Sequence, residues 1–303
     1  MKAKVILIIC LMFCVVCCNS KTQMGNAQFS LDWLTLSRDA QQKIVYDYAD
    51  ALDEFAQVMP KFGQDTEAQW AADTVHTMSL ALKQNHYSYQ KSLAIISQMQ
   101  NYTAYGMVYF NATIGTYKEP QLAGYALRLI PQSDSLYLDL EDVEFSDVRR
   151  LAVFQATSVY NMQLFNTLNR INNDQDYNRE VFLSLYCVGL MDSLSTVKDY
   201  SDTEIYKVSS VLESFSFFQM TCPLLALLAG SQEKYDSNIG IITDAAKHID
   251  SQSTPVFHAI DERKKVQVMS DSEFEAWMMT TTQHKIKLLK LLTKYVNEWN
   301  PSE

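Results

Sequence analysis

The chain has 303 residues, 48% of them hydrophobic, with a formal net charge of −10. That apolar share is enough for a packed core and excludes a disordered chain. The acidic balance, without any basic block, excludes a nucleic-acid binder, because phosphate neutralisation needs clustered Lys and Arg.

Eight Gly and six Pro are few for this length, since average usage is about 7% and 5%. Tight turns, bulges and phosphate loops draw on glycine, whereas long helices with short connections do not. Composition therefore predicts an all-α protein, a multi-helix bundle of about nine helices in two packed halves.

Residues 1–17 read as a secretory signal. Lys2 and Lys4 precede an uncharged apolar run from Val5 to Val16, shorter than the about 20 residues of a membrane span. The junction Val15-Val16-Cys17-Cys18 resembles a bacterial lipobox. That resemblance implies cleavage before Cys18 and lipidation of its thiol. Cleavage after Ala27 is the competing reading. A lipid-anchored chain would reside in the bacterial cell envelope and touch the membrane through the N-terminal lipid. Residues 18–30 are polar and serve as a tether.

The N-terminal half, 31–131, is expected to hold four helices. The first runs from an N-cap at Ser30 to about Met59, with Pro60 beyond its end. The second covers Thr66 to Lys83, with Trp70, Val75, Met78 and Leu82 turned inward. The third, Tyr87 to Ile114, is apolar nearly all round and should be central. A shorter fourth starts at Pro120. Residues 132–146 alternate Leu136, Leu138 and Leu140 with acids and form an extended acidic linker.

The C-terminal half, 147–300, repeats this style. Helices are expected over Asp147–Ile171, Tyr177–Lys198 and Thr203–Ala229, the last apolar, kinked at Pro223 and stopped at Gly230. Shorter helices follow over Glu233–Asp250 and Val256–Val268. The final helix, Asp271–Trp299, carries Phe274, Trp277, Leu288, Leu292, Tyr295 and Val296 on one stripe. Its Lys285, Lys287, Lys290 and Lys294 suit the negative end of the helix dipole.

Candidate chemistry is sparse. Asp73 and His76, Asp244 and His248, and His258 and Asp261 are acid–histidine pairs at helical spacing, each a weak candidate for a metal ion. The last resembles the His-x-x-Glu of imelysin-like envelope proteins, with Asp in place of Glu. Asn172 to Asn178 alternate oxygen donors as in an EF-hand loop, but Tyr177 and Leu183 occupy its turn and bidentate positions. No nucleophile elbow, zinc-protease, dinucleotide or phosphate-loop motif occurs, and no cofactor is expected. Asp134-Ser135-Leu136 resembles an O-glycan acceptor of bacterial envelope proteins, with Ser135 as the acceptor. Cys187 and Cys222 lie in apolar surroundings and are expected to be free, unreactive thiols.

The expected function is a tethered binding or interaction module with a protein or glycan partner in the envelope. Two alternatives are a helical hydrolase or transferase acting on envelope or glycan substrates, and a metal- or haem-binding lipoprotein.

Overall fold

The computed structural model describes residues 38–62, 66–85, 87, 92–93, 95–100, 102–103 and 200–299. Among the described residues every secondary-structure element is helical and none is a strand, so the all-α class holds. In chain order the elements are α1 (Arg38–Val58), a 3-10 turn (Met59–Phe62), α2 (Thr66–Gln84), α3 (Asp202–Ala229), α4 (Gln232–Asp236), α5 (Ile239–Asp261) and α6 (Asp271–Glu298). Short helical runs also cover 92–93, 95–100 and 102–103.

Local signals explain most of the boundaries. Ser201 caps α3 by accepting a hydrogen bond from the Glu204 backbone N–H, and the Glu204 carboxylate accepts in return from the Ser201 backbone N–H. Ser270 and Glu273 repeat this reciprocal arrangement at the start of α6. Each box satisfies two N–H groups that have no partner inside the helix. At the far end of α3, Gly230 takes φ 71° and donates its N–H to the Leu227 carbonyl, a left-handed turn that glycine adopts without strain.

α6 is the hub. It packs on α1, α3 and α5, while α1 packs on α2 and α5 packs on α3. Lys207 reaches Asp271 and Glu213 reaches Lys285, so α3 and α6 run in the same direction. His248 lies against Trp277 and Asn238 against Tyr295, so α5 runs opposite to both. The larger apolar cluster joins Leu52, Phe55, Val75, Met99, Phe217, Leu225, Leu288 and Tyr295. It thus draws on both ends of the chain. A smaller one joins Tyr206, Leu212, Val266, Phe274 and Trp277 at the start of α3 and α6. Each large side chain buried fully contributes about 1.5–3 kcal/mol through removal of apolar area from water.

Several expectations need correction. The two short helices foreseen across 233–268 are instead the five-residue α4 and one long helix, α5, which passes through Pro255. Pro255 is exposed, whereas Ser253 and Val256 beside it are buried. Packing on the inner face therefore holds the helix despite the lost N–H. Trp70 faces outward at 46% exposure, because Ala71 and Ala72 take the inner positions at that turn. Its ring meets Tyr102 edge-on at 5.4 Å. Lys285, grouped in the sequence with Lys287, Lys290 and Lys294 as suited to the helix dipole, is buried.

α3 is long and apolar enough to cross a membrane by length and composition alone, yet 72% of its most apolar window is buried inside the fold. It is a core helix. The residues described near the third expected helix, Ile95 to Gln100, Tyr102 and Thr103, are all buried. The linker 132–146 and the N-terminal signal and tether lie outside the described residues.

Candidate functional site

Between Val208 and Leu228, Glu213 is the one charged residue of α3. The neighbouring hydroxyls satisfy themselves. Ser209 and Ser210 donate to the Tyr206 carbonyl, Ser214 to Ser210, Ser216 to Leu212 and Thr221 to Phe217. This back-bonding is open to short polar side chains within a helix. Glu213 has no such route, and a buried carboxylate without partners is very costly. Its partners come from other helical segments.

Lys285 Nζ of α6 lies 2.5 Å from Glu213 Oε2. Gln100 Nε2 donates to Oε1. Lys285 and Glu213 are 3% and 1% exposed at the side chain. The ammonium also lies 5.4 Å from the Phe217 ring centre and 6.0 Å from that of Tyr48, within cation–π range. Burial pushes the Lys285 pKa down, and the adjacent Glu213 charge opposes that shift. Burial, helped by the same carboxylate, pushes the Tyr48 phenol well up.

Beside the pair is a cavity of about 30 Å³, lined in part by Tyr48, Ser97, Gln100, Glu213, Thr282 and Lys285. The Tyr48 hydroxyl is buried and has no hydrogen-bond partner. The volume suits one or two water molecules, each needing at least about 10–15 Å³, and is too small for an organic substrate. The cluster locks α3, α6 and the 95–100 run in one register.

The residues singled out in the sequence are mostly kept apart. His76 Nδ1 pairs with Asp53 Oδ2 of α1 at 2.8 Å, while Asp73 accepts from Gln69 at 2.8 Å. Asp73 and His76 therefore do not share a ligand. His258 is exposed, with Nδ1 3.7 Å from Glu262 Oε2; the side chain of Asp261 lies outside the described residues. Cys222 is a buried free thiol, and burial pushes its pKa well up. Cys18, Ser135, Cys187 and the 172–178 loop lie outside the described residues.

Asp244 and His248 fare differently. Asp244 is exposed on α5, and His248 one turn later faces α6. His248 Nε2 is 3.1 Å from both the Trp277 carbonyl and Thr281 Oγ1. Its ring stacks on Trp277 at 5.8 Å and lies 5.3 Å from the ring of His284. Burial lowers the pKa of His248. His284 is lowered to about 4 by burial first, then by His248 and Lys287, with Asp244 opposing.

Glu213, Lys285, Gln100 and His284 belong to no motif legible in the sequence. A signal was present for two of them. Glu213 interrupts an otherwise uncharged apolar run, and Lys285 shares a helical stripe with Thr281, Leu288 and Leu292. Gln100 and His284 carry no comparable mark. Among the described residues, no group of three His, Cys, Asp or Glu side chains stands ready to hold a metal ion. Comparison of the chain with protein-family models, curated proteins and solved structures gives no match.

Proposed function

We propose that this chain is a lipid-anchored binding or interaction module of the bacterial cell envelope, built as about nine helices in two halves, with a protein or glycan partner. The N-terminal part of this reading rests on the basic start, the short apolar run and the Val15-Val16-Cys17-Cys18 junction. The observation that favours a binder over a hydrolase or transferase is the state of the buried acid. Glu213 is paired with Lys285 and accepts a hydrogen bond from Gln100 beside a cavity of about 30 Å³. A catalytic acid needs to face a substrate-sized cleft. Here the acid–amine couple is closed on itself.

Two measurements test the reading. Metabolic labelling with a clickable fatty acid should mark the protein in its native host, and Cys18→Ser should remove the label. Absence of label would remove the anchor from the proposal. Incubation of the purified protein with isolated envelope glycans should leave their masses unchanged. Release of cleaved or transferred products would favour the enzymatic alternative.

A further inference from the structure

We infer that the cavity between α1, α3, α6 and the 95–100 run is a hydration site, in which a buried water molecule bridges the Tyr48 hydroxyl to the Lys285–Glu213 pair. The inference does not depend on the tethered-module reading.

Two buried donors carry it. Tyr48 is 3% exposed, and its hydroxyl has no hydrogen-bond partner. Lys285 is buried as deeply, at 3% for the side chain. An ammonium offers three N–H donors, and among the described residues Lys285 donates to Glu213 Oε2 alone. The ring centres of Phe217 and Tyr48, at 5.4 and 6.0 Å, attract its charge but stand too far off to accept a hydrogen bond. Buried polar groups are nearly always satisfied, and a charged one is the costliest to leave short of partners.

Both side chains border one space. Tyr48 and Lys285 line the same cavity as Ser97, Gln100, Glu213 and Thr282. Its volume of about 30 Å³ exceeds the about 10–15 Å³ that a water requires. The other walls supply acceptors. Ser97 Oγ gives its proton to the Leu93 carbonyl and Thr282 Oγ1 to the Met278 carbonyl, so each hydroxyl presents only lone pairs. Glu213 takes one hydrogen bond at Oε1 from Gln100 and one at Oε2 from Lys285, and each oxygen keeps a second lone pair. The walls therefore hold two donors for the oxygen of a water and acceptors for both of its protons, which meets the need for about 2–4 polar partners.

Charge selects the occupant. An anion would face the Glu213 carboxylate and two hydroxyls that present oxygen, and a cation would face the Lys285 ammonium. A neutral water meets neither conflict. Burial keeps the Tyr48 phenol protonated, so it remains a donor. The bridge also gives α1 a polar link to a pair that otherwise joins α3, α6 and the 95–100 run.

The test is the sign of the change in melting temperature on Tyr48→Phe, which keeps the ring and deletes the hydroxyl. If the hydroxyl had no partner, its removal would relieve a buried unsatisfied group and raise the melting temperature. With the bridge in place, the water loses a partner and the melting temperature should fall. Thr282→Val removes an acceptor from the same cavity. Tyr48 and Thr282 share no direct hydrogen bond, so a common water is expected to make the loss in the double variant smaller than the sum of the single losses. A high-resolution crystal structure of the parent protein should show water density at hydrogen-bond distance from Tyr48 Oη and Lys285 Nζ. A rise in melting temperature for Tyr48→Phe, strictly additive losses, or a cavity without that density would each overturn the inference.

Discussion

Lys285 on α6 and Glu213 on α3 form a buried ion pair across 72 positions of sequence, with Nζ 2.5 Å from Oε2. Removing one partner of such a pair leaves an uncompensated buried charge, at a cost of about 3–5 kcal/mol. Lys285→Met should therefore lower stability by about that much, as read from urea unfolding. Combining it with Glu213→Gln removes both charges while Gln100 keeps an acceptor. The double variant should recover most of the loss. Equal destabilisation in the single and double variants would mean that packing, not charge, is what Lys285 contributes.

The contrast between this pair and the helix boundaries shows what was legible in the sequence. Gly230 reads as a stop from sequence; Ser201 and Ser270, not singled out there, also act within one helical turn of their own position, so these roles follow from local chemistry. The expected span Thr66–Lys83 differs from α2 by one residue. The helices expected over Glu233–Asp250 and Val256–Val268 differ from α5 because the local cost of Pro255 is overridden by Ser253 and Val256, buried on the opposite face. Lys285 is buried whereas Lys287, Lys290 and Lys294, which share its run, are exposed, and composition alone does not separate them. The meeting of Glu213 with Gln100 or of His248 with His284 depends on which helices pack, and no local pattern encodes that choice.

The two described helix-associated glycines should respond to alanine in opposite ways. Gly230 sits at φ 71°, and a methyl group added to its Cα would meet nothing within 4 Å. The cost of Gly230→Ala is thus backbone strain alone, about 1–2 kcal/mol. Gly240 lies in the first turn of α5, also in open space and without positive φ. Gly240→Ala should stabilise by up to about 0.5–1 kcal/mol, through helix propensity and a less flexible unfolded chain. Thermal melts of the two variants should move in opposite directions.

The cap of α6 gives a third stability test. Ser270→Ala removes the acceptor for the Glu273 N–H and should cost about 1 kcal/mol. Asp271 follows Ser270 and holds Lys207 at 2.7 Å. Lys207 also donates to the Met269 carbonyl at 2.6 Å, so fraying here should loosen the start of α3 as well. Hydrogen exchange should rise at the first turns of both helices. A rise confined to α6 would show that Lys207 does not transmit the change.

Cys222 offers a direct chemical readout of the fold. The thiol is buried within the larger apolar cluster, and burial favours its protonated form. A disulfide-exchange reagent at pH 8 should fail to label Cys222 in the native protein and label it fully in denaturant, without prior reduction. Rapid labelling in native buffer would mean that α3 opens locally far more often than its burial implies.

The pH dependence of stability should reflect two opposing groups on α5 and α6. The folded chain holds His284 at about 4 instead of 6.5. Between these values the unfolded state binds more protons, so this group makes stability fall as pH drops from about 6.5 toward 4. His248, shifted in the same direction, adds to that fall. Asp250 has the opposite sign. Burial raises it from 3.8 to about 6, so the folded state binds more protons in that interval, and this group makes stability rise as pH drops through it. The parent protein should therefore show a shallow profile between about pH 6 and 4, where the groups offset one another. Asp250→Asn removes the opposing group. Its urea midpoint should exceed that of the parent at pH 7 and then fall more steeply with acid. His284→Gln should do the reverse and flatten the descent. Parallel profiles for the parent and Asp250→Asn would show that Asp250 is not the group that offsets the histidines.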